Sequence, residues 1–472
     1  MKLFNLLASV PMFGQTYDLS LNWIAKFIRW LITSIGVVGV GIIIFSLVLK
    51  FVVLPFDVYQ RISMRKQNQK MKEQQERMEK LQKQYANDKQ MYNQKLMEMY
   101  RENGISLFSS CLPMILSMVI FIVAINAFNA YARYSAIDNY NYMVDVYKTE
   151  IRSYCPDLEK ENIAFVDDKL RVDDEDAYIY YEMNAPQTEL TDEELIAYVN
   201  ERLDNTSTNY VVKADKVKAN PEMKEAIDAM VAGGVSEEEA LSNYFTEKGQ
   251  TAVKVAYEET VTGKTKFLWI KNIWLTDASY KHPVQSYTDL DNEVNNKRVK
   301  FNVDGEKIVY GKIGTQTNVY TPETYNEITE KLDKQKTEAN GYYILIILSI
   351  GTILLQQFVM MRSQKEQQKY STVDGQGASQ QKMMMFMMTG MFAVFSFMYS
   401  AAFSIYMITS NLFSLLSTII INKFVDKKLA KEEATASVIR MDNRTLSRIE
   451  AAKNAGKASA KETREKNEKD NK

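Results

Sequence analysis

The sequence predicts an α-helical multi-pass membrane protein with five transmembrane helices, a cytoplasmic helical hairpin and an inserted extracytoplasmic α+β domain. The charge distribution supports this fold class. Residues 383–422 form a run of 40 residues without Asp, Glu, Lys or Arg. Residues 134–340 carry 24 basic and 40 acidic side chains, whereas the whole chain of 472 residues has a net charge of −1. This segregation excludes a soluble enzyme and a fully disordered chain, and it indicates a membrane protein with one large acidic part in water.

Five apolar stretches have the length of a membrane-spanning helix, which is about 20 residues for a hydrocarbon core of roughly 30 Å. They are residues 34–57, 108–131, 341–361, 383–399 and 402–424. The last two share the uncharged run, which as a single helix would be about 60 Å long, twice the hydrocarbon thickness. We therefore expect the chain to turn near residues 400–402.

Lysine and arginine predict the orientation, because they are enriched in cytoplasmic loops. Residues 60–107 carry 11 basic and 6 acidic side chains, and residues 423–472 carry 14 and 9. Both segments are therefore placed in the cytoplasm, so that the N-terminus is outside and the C-terminus is cytoplasmic. In the predicted layout, residues 1–33 and 132–340 lie outside, and residues 58–107, 362–382 and 425–472 lie in the cytoplasm.

The N-terminal segment is predicted to contain an interfacial amphipathic helix at Leu19–Leu31, with Trp23 and Trp30 at the depth of the lipid headgroups. The preceding apolar run Leu3–Val10 has no clear cleavage site, so we expect it to be retained.

The hairpin is predicted from a sparse heptad pattern in which Met64, Met71 and Met78 are seven residues apart. The first helix is expected to break at residues 86–88, and a second helix then carries Tyr92 and Met99 on one face. The five side chains form either the seam of a short coiled coil that only links spans or a flexible arm that contacts apolar substrates, since methionine adapts to many shapes.

Lys50 is the one full charge well inside a predicted span. A lysine at the centre of a membrane helix costs about 2.5–3.5 kcal/mol on insertion scales. Either its amine reaches the headgroups, or it faces a wet groove. Other polar side chains in the spans either form hydrogen bonds between helices or line that groove. They include Gln356, Gln357, Tyr406, Asn411 and Ser414.

The acidic insertion has clear local signals. Thr191 followed by Glu194 predicts a capping box at the start of a helix. Pro221–Ala232 reads as a second helix, and a third is expected from Ser236 to about Thr246. A turn is expected at residues 262–263, and Asp304-Gly305 predicts a β-hairpin.

Catalytic chemistry is not expected, and neither a cofactor nor a metal is predicted. The chain has a single histidine, His282, which argues against multi-histidine metal sites and Ser-His-Asp chemistry. The two cysteines, Cys111 and Cys155, lie in different regions, so no disulfide framework is expected. We therefore expect a protein that is not an enzyme.

The motifs of the spans, in their order and spacing, resemble the YidC/Oxa/Alb family of membrane protein insertases. Lys50 followed by Leu54-Pro55 is similar to the family's first span, where an arginine precedes Leu-Pro. Met407 stands where the family has a tryptophan in the fifth span. The other similar fragments are Tyr100–Gly104, Ser110–Met114, Phe267–Ile270, Ser349–Gln357, Met383–Phe392 and Ser404–Ser414.

The resemblance implies a bacterial plasma-membrane insertase and chaperone that moves nascent membrane proteins into the lipid bilayer, alone or with the Sec translocon. It implies a hydrophilic groove lined by Lys50, Gln356, Gln357, Tyr406, Met407 and Asn411. The basic tail is compatible with attraction to the ribosome or to anionic lipid, and equally with a solvated disordered segment. No DNA partner is expected.

Two other functions are weighed against the insertase. A membrane-anchored extracytoplasmic binding protein would not need Lys50 inside a span. A solute transporter would usually show internal repeats and carboxylates inside the membrane, and the sequence shows neither.

Overall fold

Helices dominate the computed structural model, which describes residues 6–104, 108–175, 177–203, 208–314, 317–363 and 376–428, with Lys431 and Ser447. The helices in chain order are α1 (Trp23–Ile35), α2 (Val38–Glu73), α3 (Gln75–Gln84), α4 (Lys89–Glu102), α5 (Phe108–Arg152), α6 (Asp192–Leu203), α7 (Ala214–Ala219), α8 (Pro221–Ala232), α9 (Glu237–Ala256), α10 (Thr262–Thr265), α11 (Tyr287–Val294), α12 (Tyr310–Ile313), α13 (Pro322–Ile328), α14 (Asp333–Thr337), α15 (Ile344–Ser363), α16 (Gln376–Met398) and α17 (Ala401–Lys428).

Within the described residues, four helical stretches are long and apolar enough to cross a membrane: Val38–Glu73, Met118–Arg152, Ile344–Arg362 and Ala401–Lys428. The predicted span 383–399 falls in α16, where Thr389–Met398 is a shorter apolar helix. The expected turn near residues 400–402 is present, because α16 ends at Met398 and a new helix begins at Ala401. The first predicted span began too early, since Ser34 belongs to α1 and Gly36 ends that helix with φ +77°.

The chain divides into two compact units. The first comprises Met1–Val48, Ser117–Ile353 and Met387–Thr409, and the second comprises Leu49–Leu116, Leu354–Phe386 and Ser410–Lys472. Helix α5 continues 21 residues past the predicted end of the second span at residue 131, and its last turns enter the core of the first unit.

An antiparallel five-stranded sheet lies in the first unit. Its strands are β1 (Leu6–Val10), β2 (Ile163–Val166), β3 (Lys169–Asp173), β4 (Ala177–Tyr181) and β5 (Thr208–Val212), in the order β1-β5-β4-β3-β2. A separate hairpin pairs β6 (Phe301–Val303) with β7 (Glu306–Ile308) through Asp304-Gly305, both at positive φ, so the predicted turn is confirmed.

The strand β1 was missed by sequence reasoning, which treated residues 3–10 only as an apolar run. Leu6 pairs with Val212 and Val10 with Thr208. Ala8 and Val10 are buried while Ser9 is exposed, the alternation of a strand that covers a core with one face.

In the acidic insertion, the predicted starts of the helices agree with the structure, whereas one predicted helix end does not. The Thr191 and Glu194 side chains each bond the other residue's backbone N–H, and α8 has the predicted bounds.

The third helix was predicted to stop near Thr246, and this was wrong: α9 runs to Ala256 and continues through a π-helical turn (Tyr257–Val261) into α10. A buried stripe explains the extension, because every fourth position faces the core: Leu241, Phe245, Gly249, Val253, Tyr257 and Val261. The turn expected at residues 262–263 is therefore helical instead.

Tyr147 is the largest fully buried side chain in the core beneath the sheet, at 0% exposure. We expect Tyr147→Ala to destabilise the first unit by about 3–5 kcal/mol, because it leaves a cavity where the ring packs on Phe13, with centroids 5.3 Å apart. Thermal unfolding in detergent measures the change. Tyr280→Ala removes a ring that is 58% exposed and should alter the unfolding temperature little; equal effects of the two variants would contradict this role.

Candidate functional site

Lys50 lies half-buried in α2, within the second unit, and its Nζ donates a hydrogen bond to Oγ of Ser414 at 3.0 Å. Ser414 belongs to α17, so the lysine links α2 and α17, two helices that are long and apolar enough to cross a membrane. The partner is a neutral hydroxyl, which satisfies one donor of the ammonium without neutralising its charge.

Two arginines continue this contact along the same pair of helices. Arg61 donates to Oγ1 of Thr418 at 2.6 Å and to Oδ1 of Asn422 at 3.1 Å. Arg65 forms an ion pair with Asp426 at 3.1 Å. Successive bonds advance toward the C-terminus on both helices, so α2 and α17 run in the same direction.

We call the contacts of Lys50, Arg61 and Arg65 with α17 the polar ladder. Its side chains on α17 follow the helical repeat. Ser414, Thr418, Asn422 and Asp426 are four residues apart and therefore share one face. An apolar seam accompanies the ladder, in which Leu54, Val58 and Ile62 pack against Ile421 and Val425. The seam supplies packing, and the ladder fixes which faces of the two helices meet.

Asp57 is a second charge at this site that sequence reasoning did not connect to Lys50. It interacts electrostatically with both Lys50 and Arg61. The prediction had taken Asp57 only as the end of the first span. The i, i+4 spacing from Asp57 to Arg61 was the available signal.

The remaining predicted groove residues are distributed between the two units. Gln356 and Gln357 are half-buried in α15, and Asn411 is buried in α17, all within the second unit. Tyr406 and Met407 are buried in the first unit, where the Tyr406 ring packs on Phe128 and Phe403. Of the predicted set, the structure ties Lys50 directly to Ser414, which had been named only among the polar span residues.

The hairpin, which consists of the end of α2 together with α3 and α4, buries three of its four predicted methionines. Met71, Met78 and Met99 are 6%, 1% and 2% exposed, and Leu81 and Leu96 pack against them. Met64 and Tyr92 are half-buried. Their burial matches the seam of a coiled coil, and the exposed methionines of the hairpin are others, Met91 and Met97.

The ion pair at the end of this ladder gives a direct test of helix pairing. We expect Arg65→Asp and Asp426→Arg each to weaken the contact between α2 and α17, and the double charge swap to restore it. The coupling should be about 0.2–1 kcal/mol, because Asp426 is largely exposed. Thermal unfolding of the four proteins measures it. Strict additivity of the two single effects would show that the side chains do not interact.

No group of three His, Cys, Asp or Glu side chains that could hold a metal occurs in the parts of the chain that the structure describes.

Comparison with known proteins gives the family. The family described as "60Kd inner membrane protein" matches residues 30–181 and 256–428. A "Membrane protein insertase YidC" of Fusobacterium nucleatum is 36% identical over 103 residues, which are 21% of this chain and 48% of the relative. One of Clostridium tetani is 38% identical over 107 residues, 22% of this chain and 47% of the relative.

The chain spans less than half the length of these curated relatives, and no solved structure matches it. The family match nevertheless covers more than half of the chain, on both sides of the segment 182–255. This protein therefore belongs to the 60Kd inner membrane protein family, the YidC/Oxa/Alb family that its span motifs resemble.

Proposed function

We propose that this membrane protein is an insertase and chaperone that moves nascent membrane proteins from the cytoplasm into the lipid bilayer through a hydrophilic groove, alone or with the Sec translocon. The observation that carries the proposal is the Lys50–Ser414 hydrogen bond, a cation held between two membrane helices in a member of this family. The relatives named as YidC insertases support the same reading.

The physical task is to bring polar chain through a layer of low dielectric constant. A hydrated groove that reaches partway into the bilayer shortens the dry path. Lys50 attracts an acidic residue in transit by Coulomb attraction and hydrogen bonding. Asp57 lies seven residues further, about 10 Å along α2, so it tempers this attraction without neutralising the amine by direct contact.

The rest of the proposed groove lining is Gln356, Gln357, Tyr406, Met407 and Asn411. The apolar part of a substrate then leaves between the third and fifth spans into lipid, driven by roughly 25 cal/mol per Å² of apolar surface removed from water. No covalent step and no cofactor are needed.

The hairpin is proposed as the arm that meets substrates in the cytoplasm, with Met64, Met71, Met78, Tyr92 and Met99 as its key side chains. The buried methionines hold its two helices together. Substrate contact then falls to the accessible parts of Met64 and Tyr92 and to the exposed Met97, which is 54% accessible.

The proposed topology has five spans in a bacterial plasma membrane, with the N-terminus outside and the C-terminus in the cytoplasm. The proposed layout keeps the hairpin (58–107), the loop (362–382) and the tail (425–472) in the cytoplasm, and the insertion (132–340) outside. The tail's basic excess is proposed to attract the ribosome or anionic lipid.

Depletion of the protein in its own host, followed by proteomics of the membrane fraction, tests the proposed function. A set of membrane proteins should be lost from this fraction and should return when the full chain is supplied again. An unchanged membrane proteome after complete depletion would refute the proposal.

A further inference from the structure

The segment Thr265–Lys281 contacts the ends of several membrane helices at once, all within the first unit. We call it the clasp. It begins at the last residue of α10 and contains the sequence Phe267-Leu268-Trp269-Ile270, in which the backbones of Phe267 and Ile270 pair by two hydrogen bonds of 3.0 Å. Sequence reasoning found these four residues only as a family fragment and gave them no task.

The clasp caps the beginning of α15 through Asp277, whose exposure is 0%. One carboxylate oxygen accepts the N–H of Tyr342 at 2.7 Å, and the other accepts the N–H of Leu345 at 2.6 Å. The first N–H groups of a helix have no partner inside it, and a negative charge there is stabilised by the helix dipole. Burial of a carboxylate away from water costs free energy unless the carboxylate is hydrogen-bonded in this way.

The clasp also caps the beginning of α17. The backbone oxygens of Leu275 and Ile273 accept the N–H groups of Ala401 and Ala402 at 2.7 and 2.9 Å. Leu275 and Asp277 are two residues apart, so a very short piece of chain holds the starts of both helices. The two helix ends can separate only if these bonds break.

Asn340 fixes the shape of the clasp, and it too is 0% exposed. Its amide nitrogen donates to the backbone oxygens of Asn272 and Thr276 at 3.0 and 2.9 Å, and its side-chain oxygen accepts the N–H of Asn272 at 2.7 Å. Its own N–H donates to Lys281 O at 2.8 Å. The loop from 272 to 281 is therefore held to the chain that enters α15.

Packing extends the clasp to α2 and α5, which are also long and apolar enough to cross a membrane. Trp274 packs on Tyr131 of α5, with ring centroids 4.5 Å apart. The ring of Phe267 lies so close to Gly39 of α2 that a Cβ there would overlap it. The clasp thus contacts α2, α5, α15 and α17, and a hydrogen bond of 3.0 Å between Ser349 and Ser396 joins α16 to α15.

We propose that Asp277 and Asn340 are positioning residues that tie together the extracytoplasmic ends of the third and fifth spans. The third and fifth spans can then separate only toward their cytoplasmic ends, so substrates leave into lipid there. The gap between the extracytoplasmic ends of the two spans stays closed. The exit path of substrates rests on the proposed function, whereas the link between the starts of α15 and α17 rests on the contacts alone.

Gly341, just before α15, and Gly351, inside it, give a matched pair of Gly→Ala variants. Neither variant changes a charge. A Cβ at Gly341 would overlap the carboxylate of Asp277, so Gly341→Ala should displace the cap. Gly351→Ala is the control, because nothing lies within 4 Å of a Cβ there. Asp277→Asn is a second variant of nearly the same size, in which one oxygen remains for the two N–H donors, so the cap is weakened without a steric clash.

The readout is the accessibility of Ser404→Cys in a full chain in which Cys111 and Cys155 are replaced by alanine. Ser404 lies in the first turn of α17 and is 1% exposed. A membrane-impermeant maleimide is added to the outside of intact spheroplasts. We expect labelling at least about tenfold faster with Gly341→Ala, and faster also with Asp277→Asn, than with Gly351→Ala. Labelling from the cytoplasmic side in inverted vesicles should not change.

Equal labelling in all three variants, with unchanged proteolysis patterns, would overturn the proposal. Faster labelling from both sides would also overturn it, because it would show general loosening instead of an opened outer end. The labelling needs no substrate, so a failure of the proposed insertase function would appear separately, as normal membrane-protein levels after depletion.

Discussion

Lys50→Glu is expected to reduce the insertion of substrates at least about tenfold, whereas Lys50→Arg should retain most of the activity. The glutamate variant loses the cation that bonds Ser414 and places a second carboxylate near Asp57. Like charges in a medium of low dielectric constant repel strongly, and a substrate's acidic residue would add a third. A tenfold loss corresponds to about 1.4 kcal/mol. Pulse labelling of a substrate with protease protection measures it.

The control is Lys80→Glu, which makes the same charge change at an exposed hairpin position. It should leave insertion nearly unchanged. Normal insertion by both Lys50→Ala and Lys50→Glu would refute a mechanism in which this amine eases polar chain into the membrane.

The second large effect is expected from Met78→Asp in the hairpin. Met78 is 1% exposed and packs with Met71 and Met99, so the variant removes apolar contacts and buries a carboxylate without a partner. The cost should be about 3–5 kcal/mol or more, enough to separate α3 from α4. Trypsin should then cleave the hairpin much faster in inverted vesicles, and insertion should fall with it.

Met97→Asp is the matched variant, because Met97 is 54% exposed in the same hairpin. Its trypsin pattern should equal that of the unmodified chain. A loss of substrate crosslinking in Met97→Asp would therefore report contact with substrates and not unfolding. If Met78→Asp and Met97→Asp resist trypsin equally well, the buried seam does not hold the hairpin together.

The apolar helices and the turn after Met398 could be predicted because they depend on local composition. A run of 40 uncharged residues has few alternatives to membrane helices with a break between them. Lys50 was found for the same reason, since one charge in an apolar stretch is conspicuous. Local capping signals at Thr191 and Pro221 were equally readable.

The missed features depend on partners that are distant in sequence. Arg61 seemed an ordinary loop cation until α17 brought Thr418 and Asn422 to it. Asp277 seemed one of many acidic residues until the start of α15 came within hydrogen-bonding distance. The length of α9 was missed because Gly249 and Gly263 weaken a helical pattern locally, while the core stripe of the folded unit overrides them.

The strand β1 has a consequence for biogenesis. It is translated before the other strands, yet its neighbour β5 follows roughly 200 residues later, after the whole of α2 and α5. The sheet therefore cannot be completed until both of these helices have been made and β1 and β5 lie on the same side of any membrane that the helices cross. If α2 and α5 both cross the membrane, a molecule in which only one of them crosses has β1 and β5 on opposite sides, so the β1–β5 pair forms only when the number of crossings is correct.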